Sequence, residues 1–338
     1  MSAVLFGSLT RIADLPSWPF PYKALDREDW ASGDYVVAEV LPRSSPMETF
    51  ELVNGRSTRP LAGDLLVGAF ARRFATLEAT GSFEDMGPDN RMSLMTGAGC
   101  FGALTSLSRF SSAPVTLVYR GHVVRGGRKV VMTDFVPSPP ETSFGLPVVL
   151  LAGTSMSSGK TLSGRMAIRQ LKKLGHRVLG AKLTGAGRWR DTLSFQDAGA
   201  DHTFDFVDAG LPTTVVPEDE YRAAISGLLR QMASTDATVA VIEAGASPLE
   251  PYNGGTLVDM IGDQVAFTIV AASDPYAVVG IEEAWKRPID LVTGPTANTK
   301  AGIALVHELT GLPGMDLLNG DTHVRLRQML EAAVGARG

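Results

Sequence analysis

The stretch Val148-Val149-Leu150-Leu151-Ala152-Gly153-Thr154-Ser155-Met156-Ser157-Ser158-Gly159-Lys160-Thr161 decides the fold. Its first five residues are apolar and read as a buried strand, which runs into a glycine-bounded loop closed by Lys-Thr. A helical pattern follows over 159–174, with Gly164, Ala167, Leu171 and Leu174 on one stripe and Gly175 as its stop. Strand, loop, Lys-Thr and helix in that order predict a phosphate-binding loop. The N–H groups of such a loop and of the helix start point at phosphate oxygens, and the helix dipole adds positive potential. Gly159 lets the backbone come close, Lys160 sets a cation against the β- and γ-phosphates, and Thr161 offers an oxygen to Mg²⁺. The expected nucleotide contacts are Gly153, Thr154, Ser155, Met156, Ser157, Ser158, Gly159, Lys160, Thr161 and Leu162.

Around this stretch, apolar runs recur at 147–152, 178–181, 213–216, 238–242, 265–271 and 289–292. Helical patterns lie between them at 159–174, 218–233, 276–285 and 299–309. Continuous apolar strands joined by helical crossovers imply an α/β unit of the P-loop NTPase type, a parallel sheet with helices on both faces. Pro137-Ser138-Pro139-Pro140 cannot continue a helix or sit in a central strand. Residues 137–145 therefore read as a linker between a smaller domain over 1–136 and a nucleotide-binding domain over 146–338. The first part is β-rich: 35–41, 50–53, 115–119 and 129–132 are strand-like, with turn signals at Asn54-Gly55 and Gly126-Gly127. A small β-barrel or sandwich is expected there, with 63–77 either a helix or a strand pair.

A length of 338 residues suits two domains, and 44% hydrophobic with 20% charged residues excludes disorder as the main state. A net charge of −5 provides no basic field for nucleic acid or an anionic membrane. The single cysteine, Cys100, excludes an internal disulfide and any CxxC zinc site; in its Gly- and Ala-rich surroundings it is expected as a small buried residue. No basic segment followed by an apolar core opens the sequence, and no run of about 18 apolar residues occurs in it. A cytoplasmic protein with no membrane partner is expected.

A second set of candidates stands where other strands run out. Lys182 follows the run 178–181 and Glu243 follows 238–242, so both fall at the carboxyl edge of a parallel sheet, where α/β folds bind ligands. A carboxylate leaving a buried strand beside a phosphate loop can hold Mg²⁺ directly or through water. Arg188 and Arg190 either read phosphate or a substrate carboxylate, or belong with Asp191 to a solvated mixed-charge loop. Thr184 is a further substrate candidate, and Tyr252 lies in 250–255, which is either a substrate loop or a crossover turn. Asn298 or Thr299 could cap the helix that follows. No aspartate stands at the spacing of a guanine-reading N/T-K-x-D motif, which favours ATP over GTP.

With five residues rather than four between its glycines, GTSMSSGKT over 153–161 resembles the G-T-x-x-x-x-G-K-T loop of dethiobiotin synthetase and its relatives. Gly180-Ala181-Lys182-Leu183-Thr184-Gly185 is similar to that family's K-P-V-x-S-G turn, and Glu243-Ala244-Gly245-Ala246 to its E-G-x-G segment with Ala244 for the first glycine. Ser155 stands where the family usually has an acid. The resemblance spans roughly residues 146–318. It implies Lys160, Lys182 and Glu243 as the catalytic set, with Lys182 beside the transferring phosphoryl group. It also implies Thr161, Asp191 and Glu243 at the metal and Asn298 against the base. The implied reaction is ATP- and Mg²⁺-dependent and ligase-like, through a phosphorylated carboxylate or carbamate of a small-molecule substrate, in a homodimer or higher homo-oligomer. A small-molecule kinase would use the same parts. The layout, with an extra domain before this loop type, also resembles a bacterial phosphate-loop family that includes D-glutamate N-acetyltransferases, which would place acetyl-CoA where ATP is expected. A GTP-dependent switch or metal-insertion chaperone is the remaining alternative.

Overall fold

The computed structural model describes residues 3–15, 21–42 and 49–335. The chain forms two compact units. The first comprises Met1–Ser138, Ala186–Arg190 and Phe206–Val215; the second comprises Pro139–Gly185, Asp191–Asp205 and Val216–Gly338.

The first unit is built from short strands: β1 (Val4–Phe6), β2 (Tyr22–Lys23), β3 (Tyr35–Val40), β4 (Phe50–Glu51), β5 (Ser57–Thr58) and β6 (Leu65–Phe70). They are followed by β7 (Arg72–Ala75), β8 (Ala79–Ser82), β9 (Arg91–Thr96), β10 (Cys100–Leu107), β11 (Thr116–Arg125) and β12 (Arg128–Lys129). β6, β3, β11, β9 and β10 pair antiparallel in that order. The ring closes where Cys100 and Phe101 of β10 run parallel to Ala69 and Phe70 of β6. Of the two architectures left open by the sequence, the unit is thus a five-stranded barrel. Val36, Leu66, Phe70, Leu94, Phe101 and Leu117 fill it. Gly68 makes the closing seam possible, since a Cβ there would lie 2.3 Å from the Gly99 carbonyl oxygen. Cys100 is buried, as expected.

Residues 63–77 resolve into the strands β6 and β7. The stretch 50–53 is shorter as a strand than its sequence suggests: only Phe50 and Glu51 pair, with β5 across the Asn54-Gly55 turn. At 129–132 the ladder also stops early. β12 joins β11 through Gly126-Gly127, both at positive φ as a tight hairpin needs, and a 3-10 turn begins at Met132.

The second unit is a six-stranded parallel sheet of β13 (Val148–Gly153), β14 (Val178–Thr184), β15 (His202–Asp205), β16 (Val239–Ala244), β17 (Val265–Ala271) and β18 (Leu291–Thr293). Across the sheet the order is β15-β14-β16-β13-β17-β18. The helices are α1 (Lys160–Lys173), α2 (Trp189–Asp197), α3 (Glu218–Ala233), α4 (Gly254–Ile261), α5 (Pro275–Trp285), α6 (Lys300–Thr310) and α7 (His323–Val334). Val149 and Leu151 of β13 pack with Ile168 and Leu171 of α1 and with Leu326 and Leu330 of α7. Val148 and Leu150, on the opposite side of the same strand, are equally buried, so both faces are covered.

Two readings are corrected here. The run 213–216 is not a strand: Thr213 makes an isolated bridge to Ala186, and Pro212 and Pro217 bracket the segment without ladder donors. The third strand in chain order is instead His202–Asp205, a short edge with no apolar run. The mixed-charge segment containing Asp191 and the stretch after Asn253 are helical, as α2 and α4. Among the described residues, no helix is long and apolar enough to cross a membrane.

Replacing Gly68 by alanine drives a methyl group into backbone that cannot swing aside. G68A should lower unfolding free energy by about 1–3 kcal/mol, read as a shifted urea midpoint at unchanged slope.

Candidate functional site

The site is assembled at the carboxyl edge of the parallel sheet. β13 ends at Gly153 and α1 begins at Lys160, so the loop between them delivers its chain directly into a helix N-terminus. Gly159 sits at φ +105°, a left-handed value that glycine alone adopts freely. The loop braces itself. Ser158 Oγ donates to the Ser155 carbonyl at 3.0 Å and Ser163 Oγ to the Gly159 carbonyl at 2.9 Å. Lys160 Nζ is folded back and donates to the same Ser155 carbonyl at 2.6 Å. Thr154 N–H is held by the Ala271 carbonyl at the end of β17.

Lys182 and Glu243 stand opposite each other in register on β14 and β16. Glu243 Oε2 accepts the Thr161 hydroxyl at 2.9 Å, and Lys182 Nζ reaches Asp191 Oδ2 at 2.6 Å. Lys160, Lys182 and Glu243 are 5%, 7% and 3% exposed. Burial holds the Lys160 ammonium below the usual lysine range, with Glu243 as the main opposing charge. Burial likewise pushes the Glu243 carboxyl upward, chiefly against the attraction of Lys182.

Beside the loop opens a cavity of about 230 Å³, whose lining includes Ser157, Gly159, Leu162, Gly294, Asn298 and Asp316. Neither Gly294 nor Asp316 stands out as a site residue in the sequence. The turn dipeptide Gly294-Pro295 was a signal for the first, whose missing side chain leaves room for the Ser158 carbonyl. No local signal marks Asp316, which reaches the cavity through the chain path after β18. Asn298 lines the cavity; Thr299 caps α6 by accepting the Gly302 N–H at 3.0 Å.

The structure separates other candidates. Thr184 and Tyr252 are fully buried, and the Thr184 hydroxyl donates to the Gly245 carbonyl at 3.0 Å. Arg188 and Arg190 cluster with the first unit, where the N–H groups of Trp189 and Arg190 donate to the buried Glu51 carboxylate at 2.8 and 3.0 Å. Asp191 faces Lys182. Among the described residues no group of three or more His, Cys, Asp or Glu could hold a metal. Thr161 and Glu243 are a hydroxyl and a carboxylate in contact, hard oxygen donors of the type Mg²⁺ takes when phosphate and water complete its shell.

Strand, glycine-bounded loop and helix at the edge of a parallel sheet have the arrangement of a phosphate-binding loop. No family model matches the chain, and no curated protein matches it. Solved structures similar to it include the hydrogenase maturation factor HypB from Archaeoglobus fulgidus, 16% identical over 56% of this chain and 91% of that one, with a TM-score of 0.38. HypB from Helicobacter pylori in complex with nickel is 16% identical over 57% of this chain and 92% of that one, with a TM-score of 0.35. A DUF1611 family protein from Anabaena variabilis is 18% identical over 58% of this chain and 63% of that one, with a TM-score of 0.37.

A Cβ on residue 153 would lie 2.5 Å from Ser158 Oγ and 2.9 Å from Lys160 Cδ. G153A should displace both side chains and weaken phosphate binding at the loop by about tenfold or more, measured calorimetrically with ATP and with GTP.

Proposed function

We propose that the chain is a Mg²⁺- and nucleotide-dependent enzyme that phosphorylates a carboxylate or carbamate of a small molecule, a ligase-like activity. The supporting observation is the convergence of Lys160, Lys182, Thr161 and Glu243 around the end of one phosphate loop. In this reading the loop N–H groups and Lys160 grip the β- and γ-phosphates, Lys160 exchanging its Ser155 carbonyl for phosphate oxygen. Lys182 draws the substrate oxyanion toward the γ-phosphorus and offsets charge as the phosphoryl group transfers. Asp191 holds the Lys182 ammonium in that position. Thr161 and Glu243 would hold Mg²⁺, which supplies charge neutralisation at the phosphates when bound. Such a site works by positioning and electrostatics and needs no protein nucleophile. The acyl phosphate is then open to attack by an amine.

A second reading, a GTP-dependent activity, is favoured by Asp316. It lines the cavity with Asn298, and a carboxylate there can accept from both the guanine N1–H and amino group, whereas adenine offers it one amino group. Titrating ATP and GTP separately, with Mg²⁺, decides between them. Preference for GTP that passes to xanthosine triphosphate in D316N would select the second.

K160A should weaken nucleotide binding by about tenfold to a hundredfold, the worth of a charge-assisted hydrogen bond, while the melting temperature without nucleotide holds, since a buried charge is removed. Retained binding defeats the phosphate-loop assignment. For Glu243 the sign is set by its raised pKa. The folded state holds that proton more tightly than the unfolded chain, so the stabilisation present below the ordinary value of 4.5 is lost as pH rises through the folded value. E243Q should therefore melt increasingly above wild type as pH rises from 4.5 toward neutrality, yet lose Mg²⁺-dependent turnover.

A further inference from the structure

We propose that the second unit holds a small-molecule site apart from the phosphate loop, taking a neutral ring compound that carries one hydrogen-bond donor. A cavity of about 230 Å³ lies among α4, α5 and the sheet and shares no lining residue with the cavity beside the loop. Val258 comes from α4, Trp285 from α5, Pro288 from the chain after it, and Leu150, Ala266 and Thr268 from the sheet, where Leu150 and Thr268 are register partners. Close-packed interiors leave few voids larger than a water molecule. This one falls just below the range of about 300–1,000 Å³ that holds drug-sized ligands.

Thr268 identifies what the cavity lacks. It is the one hydroxyl in the run Val-Ala-Phe-Thr-Ile-Val-Ala of β17 and is only 4% exposed. Its N–H donates to Asp290 Oδ2 at 2.7 Å and its carbonyl accepts the Asp290 N–H at 3.0 Å. Its hydroxyl has no protein partner among the described residues, and Thr268 lines the cavity. Valine would fill the same space without a polar atom, and the hydroxyl can accept a hydrogen bond from a ligand donor. The Trp285 ring, 9% exposed, supplies a flat apolar wall for a ring. Charge decides against an ion. Arg287 also lines the cavity, but its guanidinium is paired with Asp259 at 2.6 Å, and Asp290 is already engaged by Thr268. An anion would meet the Asp290 carboxylate and an Arg287 charge already offset by Asp259.

The full-length protein should be titrated with phenol and indole as neutral donors, toluene as a ring without a donor, and benzoate as an anion, followed by backbone and methyl NMR. Phenol and indole should bind saturably and shift Val258, Ala266, Thr268 and Trp285 signals. The isosteric T268V should weaken phenol about fivefold, the worth of one neutral hydrogen bond, and leave toluene unchanged. V258W, which fills the cavity, should abolish binding; if it does not fold, T268V alone decides. Absence of saturable shifts at these residues, an unchanged phenol affinity in T268V, or tighter binding of benzoate than of phenol would each overturn the proposal.

Discussion

Two ammonium groups and a carboxylate buried together at the edge of one parallel sheet set the terms for the rest of the second unit. None of Lys160, Lys182 and Glu243 could be buried alone, because an unpaired charge out of water costs several kcal/mol. Each has partners fixed by backbone geometry. The parallel register brings Lys182 opposite Glu243, α1 carries Thr161 onto Glu243, and the loop turns the Ser155 carbonyl toward Lys160. Displacing β14 by one residue along β16 would take Lys182 from its place opposite Glu243. The sheet's apolar strands, closed by helices on both sides, provide the rigidity that this placement requires.

The parts of the fold legible in the sequence are those that depend on local chemistry. The strand before Gly153, the loop and the helix after it follow from residue types alone. The parallel sheet follows from apolar runs at 178–181, 238–242 and 265–271, and α3 from the amphipathic pattern at 218–233. What escaped depends on partners distant in sequence. His202–Asp205 is a strand because β14 lies beside it, not because His-Thr-Phe-Asp favours one. α2 carries three charged residues in nine positions and is anchored by one deeply buried ring, Phe195. The barrel closes by a pairing of only two residues on each strand, which no periodicity announces.

The candidate site divides along the same line. Lys182 and Glu243 were legible because a charge at the end of an apolar run is conspicuous. Thr184 and Tyr252 are fully buried, which sequence proximity to a turn does not reveal. Asp316 was invisible because only the return of the chain after β18 brings it beside Asn298.

Among the described residues, β7 ends the strand order of the first unit's sheet and pairs with β8. Its Arg72 forks onto Glu84 at 2.6 and 2.9 Å, and Arg73 is bound to Glu78. A strand from another molecule laid along β7 would have to settle beside these ion pairs and disturb their hydration. Charge therefore lines this end of the sheet and discourages growth of one sheet into the next.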